Sequence, residues 1–375
     1  MGQPLQKHIV VSAVNIRRGG TLTVLRDCLN FLSTKEDYKV TAIVHDKSLC
    51  DFPGIDYINI PWSIKGWGRR LWCEYVTMNK ISRNMDDPDL WFSLHDTTPR
   101  VKAKRQAVYC HTSFPFLKRR WRDFVMDIKI PLFSLFTKYA YRFFSKRNEY
   151  LVVQQEWFRD GLSSLLDFPK SKIIVAPPSF APVPVPDSSA FPTIRKSDEE
   201  MLFFYPSSPD CHKNFELVCQ AAAILESQLG VGRFRMIITV CGQENKYARW
   251  LKKHWGNIDS IDFHGYMPKD ELGTYYAESD CLIFPSRIET WGLPISEFKL
   301  TGKPMILADL PYAHETSSGS SQAVYCDVDD CNQLAHYMLE VIRKNFSNFA
   351  QISQKVPESP YCATWEALFD KLLEK

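Results

Sequence analysis

The chain is poor in features that would assign it a class at a glance. Its eleven cysteines include no C-x2-C pair, and Cys110, Cys241 and Cys281 sit inside the apolar runs AVYC, IITVC and CLIF. That is how small buried hydrophobes are used in a reducing compartment, and it argues against a zinc or disulfide framework. The nearest pair, Cys326 and Cys331, reads as accidental. No run approaches about 20 uninterrupted apolar residues, and the N-terminus lacks a signal-peptide core, so a cytoplasmic protein without a membrane span is expected. Charge of one sign is lacking too: 46 Lys and Arg against 43 Asp and Glu leave +3, which predicts no bulk attraction to nucleic acid. There is no G-x-G-x-x-G, which excludes the usual dinucleotide fingerprint, no D-x-D in a context fit for metal, and no internal repeat.

What is present is enough chain for two domains with full cores. The 375 residues are 45% hydrophobic and 24% charged, an ordinary globular composition. His8–Val14 reads as a buried strand running into Gly19 and Gly20, with a helix over Thr21–Leu32 behind them. Strand, glycine loop and helix form a phosphate-facing unit, although a Gly-Gly pair can also be only a tight turn. Strand-like runs follow at 38–44, 57–60, 90–94, 106–110, 150–154 and 172–176, with helical stretches at 67–85 and 156–166. Strands alternating with helices predict a parallel sheet covered on both faces, hence an α/β fold. Two strand ends carry chemistry, at His95-Asp96 and at His111 in YCHTSFP. His111 could equally bond a neighbouring carbonyl.

Between Phe116 and Arg147 nine basic residues face only Asp123 and Asp127, with aromatic and aliphatic residues at helical spacing. Such a segment can lie in an anionic membrane surface or bury its apolar face within a domain, and Pro131 leaves open two helices or one kinked helix. Pro177–Pro192 holds six of the 23 prolines and reads as an extended interdomain linker. Beyond it, 201–205, 236–241, 261–263 and 305–308 are strand-like, 215–229 is helical, and Thr364–Leu373 is an amphipathic helix.

The densest stretch is Phe284–Lys299, FPSRIETWGLPISEFK. The buried run Cys281–Phe284 stops at Pro285, and a helix starts near Gly292 and Pro294 and ends before Gly302 and Pro304. Glu289 then lies in a loop at a strand's carboxyl end and Glu297 on the following helix. The amides of Trp291–Ile295 are expected as free donors for phosphate or sugar oxygens.

Residues 261–309 resemble the C-terminal core of the retaining nucleotide-sugar glycosyltransferases of family 4. The resemblance rests on Phe263-x-Gly265, Pro285-Ser286-x2-Glu289, Gly292-Leu293-Pro294, Glu297 and Gly302-x-Pro304. It implies the GT-B fold, two Rossmann-like doubly wound domains facing a central cleft. The N-terminal acceptor domain would span 1–180, the nucleotide-sugar donor domain 181–355, and a last helix, 356–375, would cross back. It implies a metal-independent, retaining hexosyltransferase with no cofactor, moving a hexose from a UDP- or GDP-sugar to a glycan or lipid-linked acceptor in surface polysaccharide biosynthesis. Peripheral contact of 116–147 with the inner face of the plasma membrane would suit such an acceptor.

In this resemblance His111 and Glu289 are catalytic, with Glu289 beside the donor hexose. Gly19, Gly20, Lys213, Tyr266, Thr290, Trp291, Gly292, Leu293 and Glu297 bind the donor, Lys213 at the diphosphate and Glu297 at the ribose. His95 and Asp96 are further candidates on the acceptor side. The family's arginine before the lysine is missing, Ser207 and Ser208 standing there instead, and Arg287 is a candidate replacement cation. Two rival readings remain at this level, a GT-B epimerase and a non-catalytic nucleotide-sugar-binding subunit.

Overall fold

The computed structural model describes residues 6–179, 183, 194, 197 and 199–374. Most of the proline-rich stretch 177–192 lies outside the described residues. The chain divides into two compact units, one made of residues 1–115, 135–179 and 357–375, the other of 116–134 and 180–356.

The first unit is built on a seven-stranded sheet: β1 (Lys7–Ala13), β2 (Tyr38–Val44), β3 (Ile55–Asn59), β4 (Leu90–Ser93), β5 (Gln106–Tyr109), β6 (Tyr150–Val153) and β7 (Ile173–Val175). Its spatial order is β3-β2-β1-β4-β5-β6-β7 and every pairing is parallel. The second unit has six parallel strands: β8 (Met201–Tyr205), β9 (Phe234–Ile238), β10 (Ile261–Phe263), β11 (Cys281–Phe284), β12 (Met305–Ala308) and β13 (Ala323–Cys326). Their order is β10-β9-β8-β11-β12-β13. Parallel strands covered on both faces need apolar side chains on both, and Val10, Val11, Leu202, Phe203, Leu282 and Ile283 are fully buried. In each sheet the order reverses once, between β1 and β4 and between β8 and β11. Connections leave these neighbours in opposite directions, so a crevice opens at their carboxyl ends.

Helical boundaries carry several physical corrections to the sequence reading. The stretch 67–85 is helical over 67–83, as expected, but Trp67–Trp72 and Met78–Arg83 flank a π-helical turn, Cys73–Thr77, which carries the fully buried Glu74. The stretch 116–147 forms two helices, Trp121–Met126 and Lys129–Arg142, but Pro131 is not the break. The chain turns extended at Asp127, whose carboxylate accepts from the Lys129 amide at 3.0 Å, and Pro131 sits in the first turn of the second helix.

The helix Trp365–Leu373 belongs to the first unit. Thr364 caps it through Oγ1, and Phe369 stacks on Phe31 at 5.8 Å and meets Phe92 edge-on at 5.7 Å. Because Phe369 is wholly buried in that core, Phe369→Ala should cost about 3–5 kcal/mol of first-unit stability. Urea unfolding followed by a probe in that unit would measure it, and a loss under about 1 kcal/mol would show that the helix is dispensable.

Candidate active site

The reversal between β8 and β11 collects the charged candidates of the second unit. After β8 the chain runs through Pro206–Asp210, makes one tight turn at Cys211–Lys213, and enters the helix Phe215–Leu229 at Asn214, which holds a left-handed φ of +64°. Tyr205, buried at the end of β8, donates its hydroxyl to Lys213 O at 2.6 Å. That bond fixes the backbone beneath the lysine. The Lys213 ammonium then pairs with Glu289 Oε1 at 2.5 Å, with side chains only 14% and 15% exposed. At this exposure the attraction is screened less than on an open surface, so each charge defines the other's position.

Glu289 stands in the loop after β11, and that loop is pinned along its length. Tyr312 donates to Ser286 O at 2.8 Å, Trp291 Nε1 donates to Ser296 Oγ at 2.9 Å, and Thr316 Oγ1 donates to Trp291 O. Gly292 turns the chain with φ +88°, where an added Cβ would meet Ile295 Cδ1 at 3.3 Å and Phe284 Cε1 at 3.5 Å. Left-handed backbone and crowding together require glycine there. The helix that follows is short, Leu293–Lys299, and its free donors are fewer than the sequence predicts. Pro294 has no N–H, and Ile295 donates to Gly292 O at 3.0 Å. The amides of Trp291, Gly292 and Leu293 have no acceptor among the described residues.

Glu297 projects from this helix and accepts from Tyr276 OH at 2.8 Å. Burial pushes its pKa up, only partly offset by that hydrogen bond and by the charge of Lys269. Tyr266 lies in the loop after β10 and is 86% exposed.

Ser207 and Ser208 bring no charge to the loop before Lys213; the Ser207 amide donates to Thr239 Oγ1 at 2.7 Å and Ser208 Oγ to Asp210 at 2.6 Å. Arg287 does not fill the gap. Its guanidinium is buried against Asp123. His212 is also buried, and its pKa is driven well below the usual histidine value by burial and by Lys213 and Arg287.

In the first unit the reversal between β1 and β4 brings the glycine loop and His95-Asp96 to one sheet edge. Gly19 (φ +70°) opens the helix Gly19–Ser33, with Gly20 in its first turn, and no side chain caps that end. Asp96, at φ +69°, is an organiser: its carboxylate accepts from the His111 and Thr112 amides, from Thr112 Oγ1 at 2.8 Å and from Tyr141 OH at 3.0 Å. His95 is engaged on both ring nitrogens, with Ser12 Oγ at 3.1 Å and Thr97 Oγ1 at 3.0 Å, in a buried network that Glu74 and Arg70 complete. Nothing in the letters around Glu74 or Arg70 announced that network.

His111 differs. It is buried, yet neither ring nitrogen has a partner among the described residues, so the bland alternative of a bond to a nearby carbonyl is not realised. Burial is the main effect on its pKa and lowers it, with Asp96 opposing and His95 adding, so the imidazole is neutral at pH 7. A buried donor and acceptor without partners is costly.

Comparison with known proteins bears most directly on the second unit. Residues 188–356 match the family model described as glycosyl transferases group 1. The O-antigen chain mannosyltransferase RfbU of Salmonella typhimurium is 25% identical over 242 residues, 61% of this chain and 63% of its own length. The chain spans less than two thirds of the length of the curated relatives it matches. Among solved structures, Anabaena HepE in complex with UDP and glucose superposes with a TM-score of 0.64, 12% identity and 91% of each chain covered. Sucrose-phosphate synthase of Thermosynechococcus elongatus gives 0.61 and 14%, covering 91% of this chain and 90% of its own. At these identities the likeness is one of fold, and the fold is GT-B. Lys213, Tyr266, Glu289–Leu293 and Glu297 fall inside the matched stretch, while Gly19, Gly20 and His111 fall outside it.

The raised pKa of Glu297 has a definite stability sign. Its charged form is disfavoured in the folded state, so its burial costs stability above the folded pKa, and the cost disappears as pH falls toward the unfolded value of 4.5. Glu297→Gln should therefore raise Tm at pH 7–8, with the gain shrinking steadily on acidification. Melting curves across that range test this, and a gain that grows at low pH would contradict it.

Proposed function

We propose that this protein is a retaining glycosyltransferase that moves a hexose from a UDP- or GDP-sugar to a hydroxyl of a glycan or lipid-linked acceptor in surface polysaccharide biosynthesis. The observation that carries the reading is the Lys213–Glu289 pair at the β8/β11 reversal, inside the stretch matched by the glycosyl transferase model. The relative's O-antigen mannosyltransferase name supports the polysaccharide setting, and the UDP and glucose bound to HepE support a nucleotide-sugar donor.

Sugar transfer asks the protein to stabilise a departing diphosphate, hold the anomeric carbon and exclude water. In this reading Lys213 exchanges Glu289 for the diphosphate, a compact cation with three donors suiting its oxygens. The amides of Trp291, Gly292 and Leu293 add donors. Released from Lys213, the Glu289 carboxylate accepts hydroxyls of the donor hexose and supports positive charge at the anomeric carbon, with Thr290 and Trp291 beside it. Glu297 takes the ribose hydroxyls and Tyr266 borders the base. The bond from anomeric carbon to phosphate oxygen breaks, the acceptor oxygen forms the new bond on the same face, and its proton passes to the leaving phosphate. No step calls on a metal, so EDTA should leave turnover intact.

The exchange makes an asymmetric prediction. Glu289→Ala should lower transfer by at least about 10²-fold, yet keep or raise affinity for the nucleoside diphosphate, because the carboxylate competing for Lys213 is gone. A thermal-shift panel of UDP, GDP, ADP and dTDP on both proteins reads the second part, since ligand at 100 times its Kd adds about 2.7 kcal/mol. Full turnover in the variant, or no shift with any nucleotide in the parent protein, would refute the assignment.

Contact with the inner face of the plasma membrane belongs to the same reading. No helix among the described residues is long and apolar enough to cross a membrane. The helix Lys129–Arg142 nevertheless exposes Leu132, Leu135, Phe136 and Tyr139 along one stripe, continued by Phe143, with Lys129, Lys138 and Arg142 beside it. An exposed apolar stripe with a basic border suits an anionic interface. Flotation with phosphatidylglycerol vesicles should recover the protein at low salt and lose it at 0.5 M NaCl or in Phe136→Asp. Absence of binding at low salt would remove the membrane from the proposal.

A further inference from the structure

The segment 116–134 packs within the second unit, although it lies more than 60 residues ahead of that unit's first strand. Its centre is Asp123, 2% exposed at the side chain, paired with Arg287, 4% exposed. The pair is bidentate: Arg287 Nη1 donates to Asp123 Oδ2 at 3.1 Å and Nη2 donates to Oδ1. The same guanidinium donates to Cys211 O at 3.3 Å and Lys118 O at 3.4 Å, and the Arg287 amide donates to His212 O at 2.8 Å.

Arg287 thus ties together three separate pieces of chain. One is the segment 118–123, the second is the turn immediately before Lys213, and the third is the loop two residues before Glu289. Asn214 Nδ2 adds a bridge to Pro285 O at 3.3 Å, and Arg120 Nη1 in turn donates to Asn214 Oδ1 at 2.9 Å. Arg122 reinforces the seat of the segment through Glu216 at 3.0 Å and the face of Trp250.

We infer that Arg287 and Asp123 are positioning residues of the donor site, setting the placement of Lys213 beside the Glu289 loop and through that lysine the affinity for a nucleoside diphosphate. Neither needs to touch the ligand. A planar guanidinium held by two carboxylate bonds fixes direction as well as distance, which a lysine at 287 cannot reproduce. Asp123 supplies the countercharge that lets this cation be buried beside the site without being spent on the donor. The inference rests on Lys213 as the diphosphate ligand.

The test is isothermal titration of UDP and of GDP into the parent protein, Arg287→Lys, Asp123→Asn, Lys213→Ala, and each of the first two combined with Lys213→Ala, with a melting curve for every variant. Arg287→Lys keeps a paired cation and so keeps a folded protein should Asp123→Asn fail to fold. Expected is a loss of about tenfold in affinity for each positioning variant alone, and less than twofold when Lys213 is already alanine, because the residues act through that lysine. Losses that persist in full on the Lys213→Ala background, or a lowered Tm with unchanged affinity, would overturn the positioning role and leave a purely structural ion pair. Unchanged affinity in Lys213→Ala alone would refute the diphosphate reading itself, and the positioning role with it.

Discussion

An open parallel sheet covered by helices on both faces must reverse its winding somewhere, and at the reversal two adjacent strands send their connections to opposite faces. A crevice opens at the carboxyl ends of those two strands, and polar side chains there are neither fully buried nor fully wet. The second unit places a lysine on one side of this gap and a glutamate on the other, 2.5 Å apart. Either charge alone in that half-dry setting would be costly. As a pair they are held, and they are also exchangeable, since an incoming anion can take the lysine and free the carboxylate in one step. The supports are arranged around that exchange: Tyr205 fixes the backbone under Lys213, Tyr312 and Thr316 fix the loop under Glu289, and Gly292 turns the chain where a Cβ would collide.

Much of this was legible because parallel strands buried on both faces write themselves as unbroken apolar runs. MLFFY, CLIF and MILA show at once where β8, β11 and β12 lie, and the polar residues that follow each run must be at the sheet's carboxyl edge. β13 was missed although AVYC at 323–326 is an apolar run bounded by Ser317–Ser321 and by Asp327, Asp329 and Asp330, turn residues that mark it as a short strand. The helix 246–255 was missed because it is dominated by lysine and aromatic residues, and its amphipathic face emerges only once Tyr247, Ala248 and Leu251 are seen to be buried.

The charged networks were illegible for a different reason. A sequence offers Arg287 as a cation near the site, and the natural guess is that it serves the ligand. Only folding reveals that Asp123, 164 residues earlier, has claimed it. Glu74 is a similar case: on an ordinary helical period it reads as one more polar residue, whereas a π-helical turn brings it wholly inside, against Arg70, Thr97 and His95. Local periodicity carries information about faces, not about which distant charge a face will meet.

Several groups that lower stability lie near the two reversals. Glu297 is held in a setting that disfavours its charge, His111 is buried with two unpartnered nitrogens, and Gly292 and Asp96 hold left-handed backbone. All lie in segments that follow the carboxyl ends of strands. Strain and desolvation of this kind survive selection where a ligand repays them. Arg287 and Asp123 differ in kind, two buried charges that neutralise each other through a bidentate bond, with only the Arg287 Nε left without a partner among the described residues. A buried ion pair adds little net stability over a well-packed apolar substitute. Its retention beside the exchangeable Lys213–Glu289 pair is explained by direction: two fixed bonds hold three chain segments in the one arrangement from which the exchange can start.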